Sequence, residues 1–398
     1  MTAADRHFPW VGVVTLSALI FTSVTSEFLP TGLLPDMASE LDVSESRVGL
    51  LMTIFAGTVV VSTAPLTALT HRFSRKALII VLLAALVGGN ALSALAPTYE
   101  VLAGARVLTG LAHGLAGAVI GAYAAHLVPS RQLGRAIAIT SGGGTAAFVL
   151  GVPLGTALGH AFGWRLAFLA IAGVLLVLAL AVLRALPPVE HRPSLATGEI
   201  SLPLRRDRSV LPVIMVCLVV VLVMTGQNVF ATYIAPFLIG PVALAPDAVA
   251  VVLFFGGLAG ASGLVAAGAV TDRAPRTAFL VALGLVIIVV LGMGLAPGQP
   301  AVFYPLYFLW GFAFSGIPAM LQTRLMRAAS ARLRDTASAY LTVAFNIGIG
   351  GGALVGAAVL DRAGIGVLPF VDVSITVLAL GVAIAGDRWI RRREPQRA

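Results

Sequence analysis

Charge is what this sequence has least of. Only 11% of its 398 residues are charged, against 59% hydrophobic, whereas soluble domains carry about a quarter charged residues. So little charge excludes a solvated globular surface. Cysteine is nearly absent too: the single Cys217 excludes an internal disulfide or a cysteine metal cluster and is given no role. The chain also lacks a catalytic triad, metal-ligand spacing, a phosphate loop and any polar stretch long enough for a soluble domain, which excludes most enzyme classes. The glycine-rich GGGTAAF segment falls inside an apolar run. No catalytic residue, metal or cofactor is expected.

What the sequence does contain is apolar runs of about twenty residues or more, enough to cross about 30 Å of hydrocarbon as helix. Twelve are read, at roughly 10–34, 47–69, 77–97, 101–127, 137–159, 166–187, 210–239, 248–270, 278–296, 301–323, 336–360 and 365–386. The expected fold is therefore an all-α membrane protein. Arg6 and His7 ahead of the first run resemble a signal peptide, but eleven further spans make an uncleaved first helix the simpler reading. The net charge of +9 does not point to nucleic acid, because the basic residues sit in short clusters between apolar runs rather than along one face. Alternate loops collect them: Arg72, Arg75 and Lys76, then Arg131 and Arg135, Arg205, Arg206 and Arg208, Arg273 and Arg276, Arg324 and Arg327, and the tail from Arg388. The intervening segments hold few, and the first is acidic, with Asp36, Glu40, Asp42 and Glu45. The positive-inside rule then places both termini in the cytoplasm of a bacterial inner membrane.

Residues 188–208 are the longest polar stretch and divide the chain into bundles at 1–187 and 209–398. This segment reads as a linker along the membrane surface, or as a contact for anionic headgroups. The halves align without gaps at an offset of 201 residues: His71 to Arg75 fall on Asp272 to Arg276, Gly110 on Gly311, Gly151 and Gly155 on Gly352 and Gly356, and Pro35 on Pro236. Six helices repeated in the same orientation predict two pseudo-symmetric six-helix bundles with a substrate site near the midplane between them. The glycines recur every four residues and leave bare helix faces for close packing. Pro153 removes a backbone donor and should bend the fifth helix.

The stretch Gly268 to Arg276, GAVTDRAPR, resembles the loop signature of the major facilitator superfamily, with Asp272, Arg273 and Arg276 at its charged positions. The first copy, with Arg72 and Arg75, departs from it at Thr67, His71 and Ser74. Arg106 followed by Gly110 and Gly114, the Gly151-Val-Pro153-Leu-Gly155 run, and Trp164-Arg165 add to the likeness. With TSEFLPTGLLPD, ATYIAPFL and AFNIGIGGGALVG, the whole chain resembles the bacterial branch of the drug:proton antiporter subfamily that exports sugars, nucleosides or chloramphenicol. The resemblance implies that the first, fourth, seventh and tenth helices line a cavity and that the signature loops form a gate. Asp272 should then matter more than His71.

Charges in a helix centre cost about 2.5 to 3.5 kcal/mol each. Glu27 and Arg106 lie at similar depth and could meet, and His113 follows Arg106 by two helical turns on the same face. Either they couple transport to protons or they form a static pair that sets helix register. Asp372 is read as a headgroup-level or satisfied residue. The 201 offset sets Asn228 against Glu27 and Tyr307 against Arg106, so the second half is neutral where the first is charged. Gln227, Asn228, Tyr233, Tyr307, Trp310, Phe314 and Asn346 could form a mixed amide and aromatic wall for a small ligand. The expected activity is proton-driven export of a small organic molecule by a monomer whose partners are substrate, protons and lipid. Passive facilitation, proton symport of a sugar or nucleoside, and a membrane receptor or scaffold are the alternatives.

Overall fold

A computed structural model of the chain describes residues 8–70, 73–185, 207, 209–330 and 333–393. Arg72, His71 and, apart from Asp207, the segment 188–208 lie outside the described residues. Among the described residues the chain is helical, without strands. The long helices are α1 (Trp10–Gly32), α2 (Glu45–Thr70), α3 (Arg75–Ala94), α4 (Tyr99–Leu127), α5 (Leu133–Phe162), α6 (Trp164–Ala185), α7 (Val210–Ala231), α8 (Val249–Thr271), α9 (Pro275–Leu295), α10 (Pro300–Ala328), α11 (Arg334–Ala363) and α12 (Leu368–Arg393). Eleven of them are long and apolar enough over their described residues to cross a membrane. α4, with 29 residues, is about 43 Å long at 1.5 Å per residue and has the length to do so as well. The described residues form two compact units: one holds those up to residue 185 together with Pro246–Phe254, and the other holds the rest of the second half.

Breaks in the helices fall where the sequence removes a backbone donor. Pro35 cannot donate to Thr31, and α1 stops at Gly32 before a short helix, Leu34–Glu40. Pro236, at the matching position, cannot donate to Thr232, and α7 stops at Ala231 before Ile234–Ile239. The expected single spans 10–34 and 210–239 are thus each broken near their far end. α10 is interrupted in the same way at Gly316, just before Pro318. In α5 the turn Ala147–Gly151 is widened into a π-turn immediately before Pro153, which accommodates the missing donor without ending the helix.

Two glycines close helices in the left-handed region that other residues avoid: Gly163 after α5, with φ 92°, and Gly364 after α11, with φ 82°. They are 201 residues apart, so the repeat extends to backbone conformation. It extends to packing as well. α1 lies along α5 with Gly151 against Thr25, Gly155 against Leu29 and Gly159 against Leu33. In the other bundle α7 lies along α11, with Gly352 against Thr225 and Asn228 and Gly356 against Val229 and Tyr233.

α4 meets α2 at Gly110, where an added Cβ would stand 2.9 Å from the Phe55 carbonyl oxygen. α10 meets α8 at Gly311, where the Cβ would stand 2.6 Å from the carbonyl oxygen of Gly256, the residue aligned with Phe55. Both oxygens are backbone and cannot rotate away. Gly110→Ala should therefore lower stability by about 1–3 kcal/mol, the usual cost of overpacking, read as a fall in melting temperature of the detergent-purified protein. Gly104→Ala, on the same helix with nothing within 4 Å of its Cβ position, should leave the melting temperature unchanged. Equal effects would show that Gly110 is not a packing position.

Candidate functional site

In the first bundle, α1 presents Ser23, Ser26 and Glu27, spaced three and four residues apart and so on one face. α4 presents Arg106 and His113, and α3 presents Asn90. His113 bridges α4 to α1: its Nδ1 shares a hydrogen bond with Ser23 Oγ at 2.7 Å, and its Nε2 lies 3.5 Å from Glu27 Oε2. Ser26 Oγ donates to Asn90 Oδ1 at 2.6 Å, and Asn90 Nδ2 donates to the Leu86 carbonyl. Glu27 is 5% exposed and Arg106 1%.

No direct Glu27–Arg106 ion pair forms among the described residues, although the two groups act on one another electrostatically; the ionisable side chain beside the Glu27 carboxyl is His113. Arg106 Nη1 donates instead to the Ser26 carbonyl at 2.8 Å. Its guanidinium lies 5.8 Å from the Phe55 ring centre and 5.0 Å from that of Phe168, while Nε and Nη2 are buried without a hydrogen-bond partner. Depth alone did not decide the pairing, because the direction a side chain leaves its helix matters equally. The guanidinium is held by a carbonyl and two π faces, which leaves the Glu27 carboxyl to the imidazole.

The second bundle fills the matching places with different chemistry. Tyr307, opposite Arg106 in the repeat, packs against Gly256, opposite Phe55: the ring has moved from α2 to α10. Tyr307 also stacks on Phe303 and meets Trp310 at 5.9 Å. Trp310 Nε1 donates to Gln227 Oε1 at 3.1 Å, and its ring lies 5.2 Å from that of Phe230. Asn228 donates to the Met224 carbonyl, and Asn346 to the Thr342 carbonyl, each within its own helix. Phe314 is half-buried four residues beyond Trp310 on α10.

Tyr233 departs from the expected open wall: it is fully buried in the break after α7, donates to the Ala353 carbonyl at 2.8 Å and so ties that break to α11. Gln227, Trp310 and Tyr307 are brought together; Tyr233 and Asn346 serve helix contacts elsewhere. Cys217 lies in an apolar groove of about 540 Å³ between α7 and α11, with Val213, Val221, Tyr340 and Ala344.

Comparison with known proteins fits this double six-helix arrangement. The sequence profile of the Major Facilitator Superfamily matches residues 16–353. The chain belongs to the Major Facilitator Superfamily. It is 32% identical over 371 residues to the "Probable sugar efflux transporter" of Helicobacter pylori (strain G27), covering 93% of both chains. The protein of the same name from Helicobacter acinonychis (strain Sheeba) is also 32% identical, again over 93% of both. Among solved structures, a bacterial homolog of the human lysosomal transporter Spinster superposes with a TM-score of 0.79 at 16% identity, covering 99% of this chain and all of that one. The nucleoside transporter NupG superposes with a TM-score of 0.77 at 12% identity, covering 96% of this chain and all of that one.

As a superfamily transporter, the chain has its signature loop between α8 and α9. Arg273 donates to the Ala269 carbonyl at 2.9 Å and so caps the last turn of α8. Asp272 is exposed and pairs with none of the described cations. The acid that holds this end of the bundle is Asp387 on α12, which receives Arg276 Nε at 2.8 Å and also Arg324 from α10. Sequence reading missed it because the twelfth helix was ended at 386, whereas α12 runs on to Arg393. In the first bundle Arg75 opens α3, and Lys76 donates to the Leu183 carbonyl at the end of α6. At the other end of that bundle, two acids of the first loop are paired, Glu40 with Arg165 and Asp36 with His160 at 3.2 Å, and Glu100 in the first turn of α4 pairs with Arg47 of α2 at 3.2 Å.

Proposed function

We propose that this transporter exports a sugar or a similarly small, uncharged organic molecule from the cytoplasm of a bacterium in exchange for protons. It would sit in the inner membrane with both termini cytoplasmic. The observation that carries the reading is the Glu27–His113–Ser23 cluster, with the carboxyl buried and the imidazole partly so, which sets a carboxyl beside an imidazole inside the first bundle and has no ionisable match at the aligned positions Asn228 and Phe314. A carboxyl beside an imidazole can exchange one proton with small rearrangement. The names of the curated relatives support a sugar as cargo. The Gln227–Trp310 pair supports it as well, since an amide and an aromatic face suit a ligand with hydroxyl groups on one side and C–H bonds on the other.

The test uses everted membrane vesicles made acidic inside and a panel of labelled sugars, nucleosides and drugs. At least one sugar should accumulate against its gradient, and the accumulation should vanish when the pH difference is collapsed. Trp310→Ala should weaken its binding about tenfold or more, as loss of a central aromatic contact commonly does, and should leave the pH dependence of transport in place. Accumulation that persists without a pH difference would sink proton exchange; a panel in which only drugs move would sink the sugar reading.

A further inference from the structure

Three charged residues are buried among those described: Glu27, Arg106 and Asp372. The first two belong to the polar cluster of the first bundle. Asp372 stands alone in the second, 0% exposed, on the second turn of α12. Of the expected alternatives, a headgroup-level or a satisfied residue, the burial fits the second in part, since the side chain is turned into the bundle and one of its oxygens has a partner. Thr376 Oγ1 donates to Asp372 Oδ1 at 2.9 Å, and Oδ2 is buried without a hydrogen-bond partner. Gly226 on α7 presses against the pair: an added Cβ there would lie 2.7 Å from Thr376 Oγ1 and 3.1 Å from Asp372 Oδ1.

No cation on the elements packed around Asp372 is placed to neutralise it. α7 carries no charged residue, and Cys217 is its one ionisable group. α9 carries Arg276, which is bound to Asp387, fifteen residues along α12 from Asp372 and so about 22 Å away. On α11, Asp361 and Arg362 lie at the end nearest Asp372 but are exposed and form no ion pair with it among the described residues, Tyr340 is exposed on the groove described above, and Arg334 and Asp335 lie at the opposite end. On α12 itself the remaining charges begin at Asp387. A carboxylate with one hydrogen bond and no counter-ion, enclosed by apolar helices, is far less stable than the neutral acid. In the neutral acid Oδ1, which accepts from Thr376, would be the carbonyl oxygen, and Oδ2, which has no partner, would carry the hydrogen.

We propose that Asp372 is a proton-binding site of the second bundle, occupied in the form described here, and that its occupancy is transmitted through Gly226 to the adjoining Gln227 and Asn228. The close fit at Gly226 supplies the link: an ionised Asp372 must draw in water or a cation, and there is no room for either unless α7 moves. That movement shifts the turn that bears the Gln227–Trp310 pair. The site is separate from Glu27 and does not rest on proton coupling there.

The experiment is infrared spectroscopy in the carboxyl C=O region on the purified full-length protein in liposomes, with no transport substrate. At neutral pH the wild type should show a protonated-carboxyl band that Asp372→Asn removes and Glu27→Gln leaves. Thr376→Val should move that band to higher wavenumber, because its carbonyl no longer accepts a hydrogen bond. Absence of the band in the wild type, its persistence in Asp372→Asn, or its loss on adding sodium at constant pH would each overturn the proposal. Should Asp372→Asn not fold, a band that stays in place in Thr376→Val overturns it equally.

Discussion

Vesicles carrying Glu27→Gln should lose uphill transport altogether while still exchanging labelled for unlabelled substrate. One proton moving down a gradient of one pH unit supplies about 1.4 kcal/mol, which concentrates an uncharged substrate about tenfold. With glutamine at 27 that ratio should fall to unity. The substitution keeps the size of the side chain and its hydrogen-bonding capacity toward His113, 3.5 Å away, but an amide cannot take up or release a proton near neutral pH. Exchange survives because it needs only substrate binding and rocking of the loaded carrier. Neither neighbour can take the proton over: Arg106, which donates to the Ser26 carbonyl, keeps its charge, and Asn90, which accepts from Ser26 Oγ, is an amide. An unchanged accumulation ratio in the variant, at matched expression, would show that the proton travels elsewhere.

Much of this fold was legible in the residue string because a membrane imposes one-dimensional rules. Apolar runs set the spans, basic loops alternate, and a gapless offset of 201 residues exposes the repeat. The structure carries that offset down to Gly163 and Gly364 in the left-handed region and to the carbonyls of residues 55 and 256 facing Gly110 and Gly311. The buried ionisable residues were legible for the same reason, since a charge inside an apolar run stands out.

Which of them touch was not legible. Contact depends on the rotation of each helix about its axis and on which acceptor a side chain meets first, and Arg106 reaches α1 at the Ser26 carbonyl beside Glu27 rather than at its carboxyl. Neutral partners such as Ser23, Ser26 and Asn90 carry no hydropathy signal that separates them from the many serines and glycines around them. Hydropathy also ends a helix where charge begins, although the backbone needs no apolar side chains to continue into water, and so Asp387 was cut from α12. Tyr233 misled differently: its place soon after Gln227 and Asn228 suggested an open wall, but a phenol beside Gly356 reaches the neighbouring helix instead.

Asp387 should prove more important to the transport cycle than the signature acid Asp272. Its carboxylate takes Arg276 from the start of α9 and Arg324 from the lower part of α10, so one side chain joins three helices. It is 13% exposed, and Arg324, 18% exposed, also lies 4.8 Å from the Phe279 ring centre. Such shielding makes the Arg324 contact worth about 1.5–3 kcal/mol, against at most about 1 kcal/mol for an exposed pair, and the Arg276 contact, whose arginine side chain is 39% exposed, falls nearer the lower value. Asp387→Asn keeps the volume and removes the charge, leaving two guanidinium groups facing an amide with nothing to offset their repulsion. If these three helix ends move as one body when the transporter opens, turnover should fall about tenfold, equivalent to about 1.4 kcal/mol on the barrier. Asp272→Asn, at an exposed side chain with no cation partner among the described residues, should change turnover less than about twofold, in keeping with the small worth of exposed charges. Initial rates of substrate exchange in proteoliposomes, normalised to protein content, separate the two variants. A loss in Asp272→Asn equal to or greater than that in Asp387→Asn would return the gate to the signature loop and reduce the Asp387 triad to a static brace.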